Sequence, residues 1–343
     1  MYSESDIDGA IAAGAISPET AAALRNHVAQ TRSAPVVDEE HFRLLTGFND
    51  IFVAIALCLS ITAIGQIGNM ISPVLGAAGV AAASWLGAEY FTRRRRMALP
   101  SILLMLGFVG GVAATQIAVV VKVDPDLPDQ VDAVIGAGIA AVTGLAAYIH
   151  WRRFMVPITV AAGALSVVGV AIALTLAALP QAKDAIWPIL LGAGVLVFLF
   201  AMWWDMSDKE RRTRRSDVAF WLHLAAAPMI AHSIFQMLGV FGNDIDVGKA
   251  VIVLGLYLVF AFVALAVDRR ALLVSSLVYV LWAMYALFKS VGAIELSASL
   301  TAFVIGFALL TLSVFWHPMR GFVVSLLGGL RDRLPPVQQV VPA

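Results

Sequence analysis

Residues 85–104 read Trp85-Leu86-Gly87-Ala88-Glu89-Tyr90-Phe91-Thr92-Arg93-Arg94-Arg95-Arg96-Met97-Ala98-Leu99-Pro100-Ser101-Ile102-Leu103-Leu104. Four consecutive arginines separate two long apolar runs. The same punctuation returns at Arg152-Arg153, at Arg211-Arg212 with Arg214-Arg215, at Arg269-Arg270 and at Arg320. Between one cluster and the next lie two apolar runs, and the gap between those two runs holds no arginine. Basic residues are retained on the cytoplasmic side of a bilayer. The alternation therefore predicts a polytopic membrane protein with both termini in the cytoplasm. Of the 23 lysines and arginines, four fall in the opposite gaps, and all four are lysines (Lys122, Lys183, Lys249 and Lys289). Asp124, Asp126 and Asp129 lean to that outer side as well.

Composition agrees. The 343 residues are 60% hydrophobic and 13% charged, where a soluble domain is about 45–50% apolar and about 25% charged. Ten apolar stretches, near 51–68, 72–91, 99–121, 131–149, 155–178, 186–204, 218–240, 249–267, 271–288 and 296–316, each approach the roughly 17–25 residues a helix needs to cross the hydrocarbon. Helices satisfy their own backbone, as lipid requires. The expected fold is all-α: a bundle of about ten transmembrane helices over 51–316. A cytoplasmic helical hairpin and linker precede it over 1–36, and an amphipathic lead-in covers 37–50. A cytoplasmic amphipathic helix and tail follow over 317–343, with Arg320 to Leu334 resting on the membrane surface. The acidic start (Glu4, Asp6, Asp8) lacks the basic, early-apolar pattern of a cleavable signal. The single cysteine, Cys58, reads as a small packing residue.

The amino-terminal segment carries helix punctuation. Gly14 suits a left-handed C-terminal cap. Ser17-Pro18-Glu19 supplies an N-cap, a first-turn proline and an acid at the positive end of the dipole. A weaker pattern is internal. The arginine clusters recur once per pair of spans, and the phrases after Arg96, Arg153 and Arg270 echo one another. This pattern is read as either hairpin duplication or convergence.

With the Gly14-Ala15-Ile16-Ser17-Pro18-Glu19 hairpin, the lead-in, about ten spans with arginine-rich inner turns, and the phrase Val267-Asp268-Arg269-Arg270-Ala271-Leu272-Leu273, the chain resembles the bacterial membrane-protein family called domain of unknown function 2157. The resemblance covers most of the chain in layout. It implies a prokaryotic inner (cytoplasmic) membrane protein, and it implies no activity and no functional residues.

Ionisable and polar groups within spans are the default functional candidates, because burying them in lipid is costly. The seventh span holds His223, Pro228, His232 and Gln236. His232 and Gln236 share a face, whereas His223 and His232 are half a turn out of phase unless Pro228 bends the helix. Gln66 and Gln116 fall in the same outer half as His232 and Gln236. One reading makes these six residues a polar route; the other makes His223, His232 and Gln236 interhelical glue and lets Gln66 and Gln116 satisfy themselves at the interface. Glu89 is placed to pair with Arg93 one turn on. Gly107 and Gly111, Gly136, Gly138 and Gly144, and Gly192 and Gly194 are candidates for close helix approach. No phosphate-binding loop, metalloprotease motif, nucleophile elbow or cysteine pair occurs, so no enzyme, metal or cofactor is expected.

The expected partners are the lipid bilayer, anionic lipids at the inner arginine turns, and a protein partner for residues 1–36. Nucleic acid is not expected, since the arginines are divided among short separate turns. Two function classes stay open: a non-enzymatic membrane scaffold or sensor, and a small-solute or lipid transporter with its route along the seventh span.

Overall fold

The computed structural model describes residues 4–32, 48–123, 128–209, 211, 213–239, 247–290, 297–335 and 337. All the regular structure in them is helical. The lead-in expected over 37–50 lies outside the described residues up to its last three, which begin the first long helix.

α1 (Glu4–Ala12) and α2 (Pro18–Arg32) form the expected hairpin. Gly14 takes φ +71°. Its N–H donates to Ile11 O (3.0 Å) and the Ala15 N–H to Ala10 O (2.8 Å), the paired bonds of a Schellman cap. Ser17 Oγ accepts from the Thr20 N–H at 3.1 Å. Asp8 and Arg25 close the pair at 2.8 Å. The Glu19 carboxyl is held below its ordinary range by its own backbone N–H and by the Ser17 hydroxyl.

Ten long helices follow, one for each apolar stretch: α3 (Phe48–Ile71), α4 (Pro73–Phe91), α5 (Ala98–Val123), α6 (Asp129–Phe154), α7 (Ile158–Ala178), α8 (Ile186–Met206), α9 (Arg214–Met237), α10 (Val247–Val267), α11 (Ala271–Ser290) and α12 (Ser297–Val314). Among the described residues eight of them, α3 to α10, are long and apolar enough to cross a bilayer. α12 and the following α13 (Trp316–Leu326) meet that length only together, as a broken span or a re-entrant loop bent by 74°. The chain is a multi-pass membrane protein.

Three hairpins closed by arginine turns, α4/α5, α6/α7 and α8/α9, are the most closely packed, and α10/α11 is looser than the α3/α4 pair. α3 packs on α4 and α5, and α9 packs on α7, α8 and α11. α9 is the hub: 56% of its most apolar stretch is buried, against 6% for α3. Among the described residues each of the four turns contains one non-glycine residue in the left-handed region, at Arg96 (φ 53°), Met155 (54°), Arg211 (53°) and Asp268 (60°), at nearly equal intervals along the chain. The residue after it is buried at Met97, Val156 and Arg269. A shared turn geometry therefore accompanies the weak sequence repeat.

Small residues let helices touch where they face a neighbour. A Cβ on Gly111 would lie 2.8 Å from the Ala81 backbone N, and one on Gly107 would collide with Ser84 Oγ, so both glycines admit α4. Gly194 admits Met229 and Ile230 of α9, and Gly144 admits Ser166 of α7. Gly136, Gly138 and Gly192 face open space.

Two expectations are corrected. Cys58 is exposed rather than packed, because α3 is an edge helix and this is its outer face. The carboxy-terminal helix runs Trp316–Leu326, not Arg320 to Leu334. Its Trp316, Arg320, Val323 and Val324 are buried in the bundle, leaving Phe322 and Leu326 exposed. Asp268 holds this helix inward through Trp316 and Arg320.

Candidate functional site

Asp205 lies in the last turn of α8, after Trp203-Trp204, and is 1% exposed. A carboxylate at a helix C-terminus faces the negative end of the dipole, so partners from elsewhere must stabilise it. Arg269, from the α10–α11 turn, supplies a two-point contact: Nη2 to Oδ1 at 2.5 Å and Nε to Oδ2 at 3.3 Å. This is the fork geometry that makes arginine–carboxylate pairs directional. His223, one face of α9, places Nε2 2.8 Å from Oδ2. An ionised carboxylate only accepts, so Nε2 carries the hydrogen. Among the described residues His223 Nδ1 has no hydrogen-bond partner. Arg269 Nη2 also reaches Ser216 O at 3.2 Å, at the start of α9.

The neighbouring Asp268 extends the network. Its Oδ2 pairs with Arg211 Nη1 at 3.0 Å, and its backbone oxygen accepts from Arg211 Nη2 at 3.0 Å. Its Oδ1 accepts from Trp316 Nε1 at 2.9 Å and lies 3.3 Å from Arg320 Nε. Arg320 in turn donates from Nη2 to Pro335 O at 2.7 Å. Arg270 stacks over the Trp316 ring at 4.6 Å. Asp205, His223, Asp268, Arg269, Arg320 and Trp316 are all buried. Five elements thus meet at the arginine end of the bundle: α8, the α8–α9 loop, α9, the α10–α11 turn and α13. Every oxygen of the two carboxylates is engaged. Breaking one partner of a buried ion pair costs about 3–5 kcal/mol, although the intact pair adds little over an apolar substitute. The network therefore selects one arrangement of the helices more than it deepens the fold.

The outer half of α9 holds a second polar group. His232 Nδ1 is 2.7 Å from Tyr279 Oη on α11, and its Nε2 is 3.3 Å from Gln236 Nε2. The Gln236 amide donates, so Nε2 accepts and Nδ1–H donates to the tyrosine. Trp187 meets the ring edge-on at 5.1 Å, and Phe235 stacks on Tyr279 at 4.2 Å. α9 remains one helix through Pro228. His223 faces Asp205 of α8, whereas His232 faces α11, so the phase difference between them persists. Gln116 bonds Val112 O at 3.2 Å and Thr143 Oγ1 at 3.4 Å, within α5 and across to α6. Gln66 is exposed on α3. Of the six candidate residues, the structure joins His232 with Gln236, places His223 in a different network, and puts Gln66 and Gln116 on other helices.

Glu89 pairs with Arg93 as expected (3.3 Å) and also takes Arg153 at 2.7 and 3.0 Å, tying α4 to α6. Sequence reasoning missed Asp205, Asp268 as an ion-pair centre, and the buried roles of Arg211, Arg269, Trp316 and Arg320. It also missed His150, which is fully buried with Nδ1 3.3 Å from Thr159 Oγ1, between the rings of Phe108 and Phe154. The usable signal was an acid directly beside an arginine pair, at Asp268-Arg269-Arg270, together with an acid ending an apolar run at Asp205.

No family model, no curated protein and no solved structure matches this chain.

Proposed function

We propose that this protein is a non-enzymatic scaffold of a bacterial inner membrane, with both termini cytoplasmic and the α1–α2 hairpin presented to a protein partner. The arginine asymmetry supports the orientation, and the layout from Gly14 to Leu273 supports kinship with domain of unknown function 2157. The observation that carries the scaffold reading is that each histidine of α9 bonds a neighbouring helix: His223 to Asp205 and His232 to Tyr279. A transport route needs polar groups aimed at a shared aqueous space near the midplane.

The test starts from Cys58→Ala and places single cysteines at Met229, His232 or Gln236. Intact cells are then treated with a membrane-impermeant thiol reagent. Labelling at 236 alone, or at none of the three, is the expected result. Rapid labelling at 232 would replace the scaffold with a transporter whose route follows α9. A carboxy-terminal reporter that is active only in the cytoplasm tests the orientation, and a silent reporter would reverse it.

A further inference from the structure

The arginines of this end of the bundle divide into two kinds. Arg211, Arg269 and Arg320 are spent on buried ion pairs with Asp268 and Asp205. Arg93, Arg94, Arg95, Arg96, Arg152 and Arg153, in the turns after α4 and α6, are all exposed. These two turns meet. Glu89, in the last turn of α4, takes Arg93 at 3.3 Å and Arg153 at 2.7 Å. Among the described residues Glu89 is the one carboxylate paired with any of the six, and Arg94 and Arg96 have no ion-pair partner. Each turn also has the same flank. Arg95 donates from Nε and Nη2 to Tyr90 Oη at 3.2 and 3.1 Å, its guanidinium carbon 5.6 Å from the ring centre. Arg152 donates from Nη1 to Tyr148 Oη at 3.2 Å, its guanidinium carbon 6.0 Å from the ring centre. Both tyrosines are exposed, in the last two turns of their helices. Leu86, four residues before Tyr90, is 70% exposed, and Leu145, three before Tyr148, is 57% exposed. Each leucine therefore continues its tyrosine's face about 4–6 Å toward the middle of the span.

We infer that the joined turns after α4 and α6 seat anionic phospholipids, with phosphates at Arg95 and Arg152 and acyl chains along Leu86 and Leu145. The topology rule asks only for positive charge on one side of the bilayer and is indifferent to the ring an arginine lies on. Here a tyrosine holds each of these two guanidiniums down on the flank of its span. That is the depth at which aromatic rings and long basic side chains meet the headgroups. The tyrosine hydroxyl takes part of each guanidinium's set of five N–H donors, and the rest form a fork that matches a phosphate. The exposed leucine on the same face suits an acyl chain, a contact that neither a soluble anion nor a nucleic acid would use. Sequence alone places anionic lipid at every arginine turn alike; the structure narrows it to the two turns whose arginines remain outside the bundle. The seat rests on the membrane reading and is independent of the scaffold reading, since it is tested on purified protein.

The full-length protein is purified in detergent, exchanged into mixed micelles holding equal phosphatidylglycerol and phosphatidylcholine, and its retained lipid is counted by native mass spectrometry. The wild type retains phosphatidylglycerol in preference. Arg95→Gln combined with Arg152→Gln lowers that preference about fivefold for each arginine lost, the attraction of one basic side chain for an anionic surface. Tyr90→Ala combined with Tyr148→Ala keeps every charge and still lowers the preference, by a smaller factor. Lys122→Gln combined with Lys183→Gln removes two exposed cations at the opposite end of the bundle and changes nothing. Should the arginine variant fail to fold, the tyrosine and lysine variants decide. Equal retention of the two lipids, or an equal loss in the lysine variant, would overturn the seat. A preference unmoved in the tyrosine variant would overturn it too, reducing the two turns to plain surface charge. So would displacement of the lipid by millimolar glycerol phosphate or by a short DNA duplex, which would mark a site for a different anion.

Discussion

Two arginine turns of this protein share a backbone and differ in almost everything else. After α4, Arg93 to Arg96 are all exposed. Arg93 leans on Glu89 and Arg95 on the Tyr90 hydroxyl. The left-handed residue there is Arg96, and the buried residue after it is the apolar Met97. After α10 the left-handed residue is Asp268, and the buried residue after it is Arg269, 4% exposed. One turn keeps its arginines on the surface; the other assembles five elements around two carboxylates. An arginine cluster at a membrane boundary can serve either purpose, and the difference lies in whether an acid waits within reach.

The largest effect is expected at Asp205. Asp205→Ala leaves Arg269 buried without its carboxylate and costs about 3–5 kcal/mol, read as a lowered unfolding temperature and loss of monodisperse protein in detergent. The double variant Asp205→Leu with Arg269→Met restores most of that loss, since an apolar pair of similar volume tolerates the same space. A tolerated Asp205→Ala would erase the distinction between the two turns. Next comes a matched pair of glycine substitutions. Asp268→Gly keeps the left-handed backbone but removes the anion that Arg211, Trp316 and Arg320 share, so it destabilises strongly. Arg96→Gly acts on the equivalent backbone position with no network to lose, and relief of left-handed strain stabilises it by about 1 kcal/mol. Opposite signs in thermal unfolding sharpen the comparison; equal signs break it. Between these in size, Trp316→Phe keeps an aromatic face for Arg270 but withdraws the indole donor from Asp268, costing about 1–3 kcal/mol by chemical denaturation. Arg95→Gln, the smallest, leaves the unfolding temperature unchanged, as an exposed side chain away from the packing should.

The helices were legible because their signal is local. An apolar run of span length, a glycine after it and a serine before the next one are enough, and the ten stretches and the Gly14–Ser17 hairpin appear where the residues place them. The bounds of the carboxy-terminal helix were missed because the deciding contact is not local. Phe322, Val323, Leu326 and Leu327 do form a stripe, but the decisive group is Arg320, whose partner Asp268 is far off in the chain. His223 was identifiable as a costly intramembrane group, yet its partner Asp205 looked like an ordinary boundary residue after two tryptophans. Arg269 was explained fully by the topology rule, and that explanation hid its second role. Long-range charge pairing leaves no periodicity to read, and one sequence offers only the chemical oddity of Asp268 beside two arginines. The tight faces at Gly107 and Gly111 were recognisable. The open ones at Gly136 and Gly138 look the same on paper, because small-residue spacing does not say which neighbour arrives.

The 74° bend after α12 has a consequence in time as well as in space. A ribosome delivers Asp205 and Arg211 first, Asp268 and Arg269 next, and Trp316 with Arg320 after them. Until α13 turns back, Asp268 lacks its indole donor and one of its guanidiniums. The network therefore closes only once α13 has been made. A nascent chain stopped before Trp316 leaves Asp268 with an unfinished set of partners, so an incomplete bundle differs chemically from a finished one.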